Sequence, residues 1–407
     1  MRMIAALGTD PTARFPMAGA MKVGLVGARF AARFHWEGFR RVYGVPVEVV
    51  GVTAKSAESR DAFARAHGIK AFTSFEELCD AVDVVDLCTP GSTHEPLAVQ
   101  AFQRGKHVII EKPFTGYFGP GTEDFRGNTF SKEVMLREAL ASSDRILDAA
   151  RAAGKQLGYA ENWVYAPAVG KEREIVEKSG AQILWVIGEC SHNGSHSPYY
   201  GMWKFNGGGS VVGKGCHPLT AILYLKRAEG EARDGKPIRP ATVSARTHEI
   251  TRLKNYRDAG FLRATYDDIE DYCQVHVTFD DGTVADVFST ELVMGGVHNW
   301  MEVFANNHRT RCNLNPVDAL ETYNPREDNF KDVYVTEKIG TKQGWSNPAP
   351  DEDWQHGYPQ EFQDFMASMA ANRSPLCSGQ LARDTVAVLY GAYVSAERRG
   401  AEVELEQ

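Results

Sequence analysis

The stretch from Lys22 to about Gly158 confines the fold more tightly than any other part of the chain. Four short runs there, "KVGLVG", "VEVVGV", "VDVVDLCTP" and "KHVIIEKP", are β-rich, apolar on both faces and bounded by turn residues. A strand of that kind has to be covered on both sides, as in a buried parallel sheet. Between the runs lie "ESRDAFARAHG", "SFEELCDA" and "EPLAVQAFQRG", whose apolar residues recur at helical spacing. Strands and helices in alternation predict a doubly wound α/β domain over residues 21–158.

After Gly158 the pattern changes. "AQILWVIGEC", "ATVSARTHEI", "YCQVHVTF", "GTVADVFSTELV" and "NWMEVFANN" alternate like strands with one wet face, and "FDDGTV" signals a hairpin. Residues 159–407 are therefore expected to form an α+β domain around a large open, mainly antiparallel sheet. Two helices, "YPQEFQDFMASMAAN" and "GQLARDTVAVLYGAYVSAERRG", should close it. Residues 114–133, rich in Gly, Phe and Thr and without a period, read as a long loop inserted in the first domain. Residues 1–20 read as a flexible tail.

Composition narrows the function. A net charge of −8 with no long basic run argues against nucleic acid and against an anionic membrane surface. No apolar run approaches the ~18 residues of a membrane span. The seven cysteines are scattered, odd in number and free of CxxC spacing. That predicts reduced thiols in a cytoplasm, with neither a disulfide framework nor a zinc site. Small-molecule chemistry is what remains.

Within the first α/β unit, "VGLVGARFAA" holds Gly27-x-Arg29-x-x-Ala32, a dinucleotide fingerprint with one letter changed. Gly27 would make the turn, Ala32 would let helix pack on strand, and phosphate would sit on the amides around Phe30 and Ala31. Arg29 replaces the second glycine, and its guanidinium suits a phosphate. The carboxylate that would hold ribose hydroxyls is missing from the end of the second strand, since Glu48 precedes the apolar run. Lys55 and Ser56 stand at that end and suit a 2′-phosphate, so the expected cofactor is NAD or NADP, leaning to NADP.

Two further motifs carry chemistry. Glu111-Lys112-Pro113 ends a parallel strand, where open α/β sheets bind their ligands. "GGGSVVGKGCHPLTAILYL" brings a glycine-rich segment to His217, with Pro218 beside it as at the first turn of a helix. A histidine at a helix start is held neutral by the dipole and can act as a base.

In this order the motifs resemble the glucose-fructose oxidoreductase, inositol dehydrogenase and MocA family, Gfo/Idh/MocA. The resemblance runs from the turn at Gly27 through "CTPGSTHEPLA", Glu111-Lys112-Pro113, "ENWVYAPAV" and the His217 block to "AYVSAERRGAEVEL". It implies a Rossmann domain with NAD or NADP, a C-terminal sheet domain, a homo-oligomer (dimer or tetramer), and hydride transfer to or from a secondary hydroxyl of a sugar or cyclitol. By the same resemblance Lys112 would hydrogen-bond the reacting hydroxyl and His217 would be the acid/base. Thr89, Pro90, His94, Glu111 and Lys112 would line the cofactor, and Glu161 and Tyr165 would meet substrate.

One departure stands out. The family's motif reads Asp-x-Gly-x-His, whereas this chain has Gly213-Lys214-Gly215-Cys216-His217. If Lys214 faces the pocket, an anionic carbohydrate is expected, with His192, His196 and Lys204 reinforcing the preference and Tyr199, Tyr200 and Trp203 stacking on sugar faces. The alternative is an NAD-dependent glycosidase of the same fold, which oxidises a ring hydroxyl transiently, eliminates, adds water and reduces back. A cofactor-binding sensor without catalysis is disfavoured by Lys112 and His217 both standing in place.

Overall fold

The computed structural model describes residues 19–195, 197 and 199–406, so residues 1–18 of the expected tail and His196 lie outside the described residues. The first sheet is fully parallel and six-stranded. It comprises β1 (Met21–Val26), β2 (Val47–Thr53), β3 (Lys70–Ala71), β4 (Val84–Leu87), β5 (His107–Glu111) and β6 (Leu157–Ala160), in the order 3-2-1-4-5-6. All of β4 and the first four residues of β5 are buried, as both-face coverage demands. The strand order reverses between β1 and β4, which places a cleft at the carboxyl ends of the sheet.

Helices α1 (Phe30–Arg40), α2 (Ala57–His67), α3 (Phe75–Ala81), α4 (His94–Gln103) and α5 (Lys132–Ala153) cover this sheet. Ser56, Ser74 and Ser131 cap α2, α3 and α5 by accepting a backbone N–H three residues on. By contrast α1 begins at Arg29 with no side-chain cap and no acidic residue in its first turn. Its first amides are thus left open towards the cleft.

The second half adds α6 (Pro167–Ser179), β7 (Ile183–Ser191), α7 (Trp203–Asn206), α8 (Cys216–Asp234), β8 (Pro240–His248), β9 (Tyr272–Phe279), β10 (Val284–Thr290), β11 (His298–Ala305) and β12 (Arg309–Asn315). A small ribbon of β13 (Thr322–Asn324) and β14 (Gly344–Ser346) follows, then α9 (Glu352–Gln355), α10 (Tyr358–Ala370), α11 (Gly379–Glu397) and β15 (Val403–Glu404). Seven strands form one sheet in the order 12-11-7-10-9-8-15. Only β7 and β10 pair in parallel; the other pairs are antiparallel. The expected hairpin joins β9 to β10, with Gly282 in the left-handed region at φ 82°.

The last two long helices return to the first domain. α10 packs on α1 and α11 on α5. Gly38 of α1 touches Phe362 of α10 so closely that a Cβ there would stand 2.2 Å from the ring. Removing the buried Phe362 ring would cost about 3–5 kcal/mol. The loop after β5 is held inward rather than standing as a free wall. Phe125 packs between Tyr117 and Phe130, the Trp203 indole donates to the Tyr117 carbonyl at 3.0 Å, and Gly127 N donates to Asp268 at 2.7 Å. Among the described residues no helix is long and apolar enough to cross a membrane.

Candidate active site

At the carboxyl end of β5, Lys112 extends towards the helical segment that carries His217 and donates to the Gly213 carbonyl at 3.4 Å. Burial works against its charge, yet the acidic groups around it, Cys216, Glu111 and Glu161, keep its pKa above the ordinary lysine value. Lys112 is therefore a cation at any physiological pH. His217 presents Nδ1 to the Glu161 carboxylate at 2.5 Å and lies stacked on the Trp163 ring at 5.8 Å between centroids. That leaves Nε2 as the nitrogen available to a substrate. Glu161 itself is 0% exposed at the end of β6. The segment around His217 differs from expectation: Val211–Gly215 forms a wide π turn that runs straight into α8, so His217 lies inside a continuous helical run rather than at a free start. Such turns are frequent at functional sites.

Behind this pair lies a buried polar cluster. Lys214, 3% exposed, forms an ion pair with Glu291, which is 0% exposed and also accepts the Tyr200 hydroxyl. Glu291 lies 3.8 Å from His192 Nδ1, and Lys338 Nζ stands 3.4 Å from the same nitrogen while donating to the Gly194 carbonyl. Lys338 adopts a left-handed φ of 58° and burial pulls its pKa down to about 8. Its neighbour Glu337 is pushed up by burial against the pull of Lys338, Lys112 and His217. The segment Val335 to Lys338 thus lies near Lys112 and His217, although nothing in its sequence marks it.

The nucleotide turn is built around Gly27, whose φ of 109° suits glycine and whose Cβ would stand 2.5 Å from the Cys88 carbonyl oxygen. With the uncapped amides of α1 beside it, the turn is a cradle that fits a pyrophosphate. Under it, His35 of α1 is fully buried and contacts Asp86 of β4 at 2.8 Å. Burial opposes protonation there, but Asp86 and Cys88 outweigh it and hold the His35 pKa well above the usual value. His35 Nε2 is 3.6 Å from Glu111, too long for a hydrogen bond but close enough for the imidazolium charge to be felt. Asp86, His35 and Glu111 therefore run as a charged line to the base of Lys112. The one sequence signal for it was a carboxylate inside the buried strand β4.

Comparison with known proteins bears on the first domain and on the fold. Residues 21–119 match the Gfo/Idh/MocA model, described as an oxidoreductase family with an NAD-binding Rossmann fold. Residues 21–119 thus resemble the NAD-binding Rossmann domain of that family. It is 37% identical over 95 residues to the UDP-N-acetylglucosamine 3-dehydrogenase of Acidithiobacillus ferrooxidans, covering 23% of this chain and 29% of that protein. It is 38% identical over 99 residues to inositol 2-dehydrogenase 4 of Saccharopolyspora erythraea, covering 24% and 28%. The chain thus spans less than a third of the length of these curated relatives. Over nearly its whole length it shares the fold of GenD2 from gentamicin A biosynthesis, solved with NAD, at TM-score 0.76, 23% identity and coverage of 96% and 98%. A putative myo-inositol dehydrogenase from Sinorhizobium meliloti shares it at TM-score 0.70, 16% identity and coverage of 95% and 100%.

Several expected contacts fall elsewhere. His94 is fully buried, with Nε2 2.8 Å from the Thr89 carbonyl and Nδ1 3.0 and 3.2 Å from those of Pro113 and Phe114. It ties the end of β4 to the turn after β5 instead of lining the cofactor. Tyr165 is buried between Asp364 and Cys377 N, and Trp203 is 2% exposed under Tyr393. Neither side chain is placed to meet substrate. Glu161 bonds His217 and is closed to substrate, and Lys214 is cancelled by Glu291, which removes the reason for expecting an anion at that lysine. Tyr200 is likewise buried, whereas Tyr199 is 48% exposed beside Phe205 and Lys204 lies over the Phe205 ring. At the cofactor turn Arg29, Phe30 and Lys55 are exposed, Ala31 is half-buried, and the Ser56 oxygen is engaged in capping α2. Pro90 is exposed, and the Thr89 hydroxyl accepts from Thr93 at 2.7 Å.

Proposed function

We propose that the protein is an NAD(P)-dependent oxidoreductase acting on a secondary hydroxyl of a sugar, a cyclitol or a derivative of one. The observation that carries this reading is the convergence of Lys112 and His217 at the carboxyl end of the first sheet, next to the Gly27 turn. When bound, the oxidised nicotinamide supplies the hydride acceptor. The chain supplies the rest: His217 Nε2 takes the hydroxyl proton, while the Lys112 ammonium favours the alkoxide that develops on oxygen. Both curated relatives are named as dehydrogenases of this substrate class, which supports the assignment.

With no carboxylate at the end of β2 and Lys55 exposed there, either nicotinamide dinucleotide suits the turn. Trp185 and Phe304 stack at 4.6 Å between centroids on the second sheet, and we propose that copies of the chain associate through that sheet. The test is to add NAD or NADP with a panel of cyclitols, aldoses and phenyl glycosides and follow absorbance at the reduced-nicotinamide wavelength together with aglycone release. Reduced cofactor that forms with wild type and disappears in Lys112→Met and His217→Ala supports the dehydrogenase. Aglycone release with no net reduced cofactor assigns the redox-neutral glycosidase instead.

A further inference from the structure

The family's motif places a carboxylate four residues before the histidine, and here that position is Gly213. The space is filled: a Cβ on Gly213 would stand 2.6 Å from the Tyr200 hydroxyl oxygen and 2.9 Å from Cε2 of the same ring. Tyr200 is in turn anchored on Glu291. No aspartate fits at 213 while that ring stays. The carboxylate that actually meets His217 arrives from another element, the end of β6, where Glu161 stands 2.5 Å from Nδ1 with no exposure to solvent. Its other oxygen, Oε2, is buried without a hydrogen-bond partner among the described residues, so its one strong side-chain interaction is with the histidine.

We infer that Glu161 is the positioning residue for His217; this rests on the oxidoreductase reading above. Accepting the Nδ1 proton fixes the tautomer in which Nε2 carries a lone pair towards the substrate. As the substrate C–H bond gives up hydride, the O–H bond breaks and its proton passes to Nε2. The imidazolium so formed lies against the Glu161 carboxylate, which stabilises it. The reverse reduction returns the same proton. Other titratable groups facing His217 are Lys112, Glu111, Cys216, Glu337 and His356. None of these is hydrogen-bonded to the ring among the described residues, whereas Glu161 is.

The experiment compares full-length wild type, Glu161→Gln and Glu161→Asp. For Glu161→Gln the expected result is a fall in kcat of about 10²-fold with KM nearly unchanged, and a kcat/KM profile whose acid limb moves down by about one pH unit. Glu161→Asp should recover part of both effects. In parallel, NMR of protein labelled at the histidine ring nitrogens reads the His217 pKa and tautomer without any turnover. The wild type should carry its proton on Nδ1, and the His217 pKa should fall in Glu161→Gln. If wild type forms no reduced cofactor on any substrate while the NMR shift appears, the oxidoreductase reading fails and the positioning role stands. An unchanged His217 titration and unchanged kcat in Glu161→Gln overturn the role itself. Should Glu161→Gln fail to fold, the same NMR comparison on Glu161→Asp decides, with an unaltered titration and kcat counting against it.

Discussion

Lys214 should behave as half of a buried ion pair, and its removal should cost stability without altering preference for anionic ligands. Its ammonium and the Glu291 carboxylate are both withdrawn from water, and Glu291 also receives the Tyr200 hydroxyl. Taking away one member of such a pair leaves the other charge buried alone, at about 3–5 kcal/mol. With an unfolding entropy near 2.1 cal/mol/K per residue over roughly 400 residues, Lys214→Met should lower the unfolding midpoint by about 4–6 °C. Glu291→Gln should fall at least as far, because it strands a cation and weakens the Tyr200 anchor. The double variant, with no charge left to strand, should recover about 1–3 kcal/mol of the summed loss as a coupling term. Calorimetric melts of the four proteins at pH 7.5 measure all of this. Lys214→Met melting with wild type, or losing affinity for an anionic substrate while leaving a neutral one unaffected, would show that the lysine faces the pocket after all.

Other outcomes can be read with equally simple assays. Gly27→Ala meets both an unfavourable φ and the Cys88 carbonyl, so it should destabilise the first domain by about 1–3 kcal/mol and weaken NAD(H) binding at least tenfold, as measured by titration calorimetry. Arg29→Gly should keep cofactor affinity within about threefold, since the exposed side chain has no partner in the turn among the described residues and the amides are the larger anion site; a complete loss would mean that the guanidinium holds the phosphates. His107, whose Nδ1 accepts Gln156 N at 3.0 Å, is pulled down to about 4 by burial. Between that value and the unfolded value near 6.5 the unfolded chain binds the extra proton, so stability is full above pH 6.5 and falls as pH drops towards 4. His107→Asn preserves the acceptor and should flatten that part of the urea-midpoint profile.

Much of the fold could be read from the letters because its determinants are local. Strands β4 and β5 are apolar on both faces, Ser56, Ser74 and Ser131 cap helices in sequence, and Gly282 marks its hairpin. Lys112 and His217 each stand in a short motif, so their proposed roles too rest on local signals. What could not be read are pairings across the chain. Glu161 meets His217 over 56 positions and Lys214 meets Glu291 over 77, and no spacing rule connects residues on different elements. The glycine-rich run before His217 misled in another way. Gly213 and Gly215 with Pro218 look like the start of a helix, yet the wide turn from Val211 to Gly215 continues the helical path through them. Residues Val335 to Lys338 had no periodicity to betray them, and their place near Lys112 and His217 is held by Glu352 of α9, which accepts from Thr336 and Glu337 N.

The substitutions around His217 make sense only as a set. Gly213 yields its space to Tyr200, Tyr200 leans on Glu291, and Glu291 binds the lysine that follows Gly213. Counted together, Glu161 and Glu291 contribute two negative charges and Lys214 one positive. The positive charge of Lys214 is thus balanced by Glu291, and the carboxylate that meets His217 is that of Glu161 after β6. Placing an aspartate there by itself should harm the protein, because the Cβ of Gly213→Asp would stand 2.6 Å from the Tyr200 hydroxyl oxygen. Activity in Glu161→Gln/Gly213→Asp should return only when Tyr200 is also shortened to alanine. If Gly213→Asp alone rescues Glu161→Gln, Tyr200 is not the obstacle and the two carboxylate positions are independent.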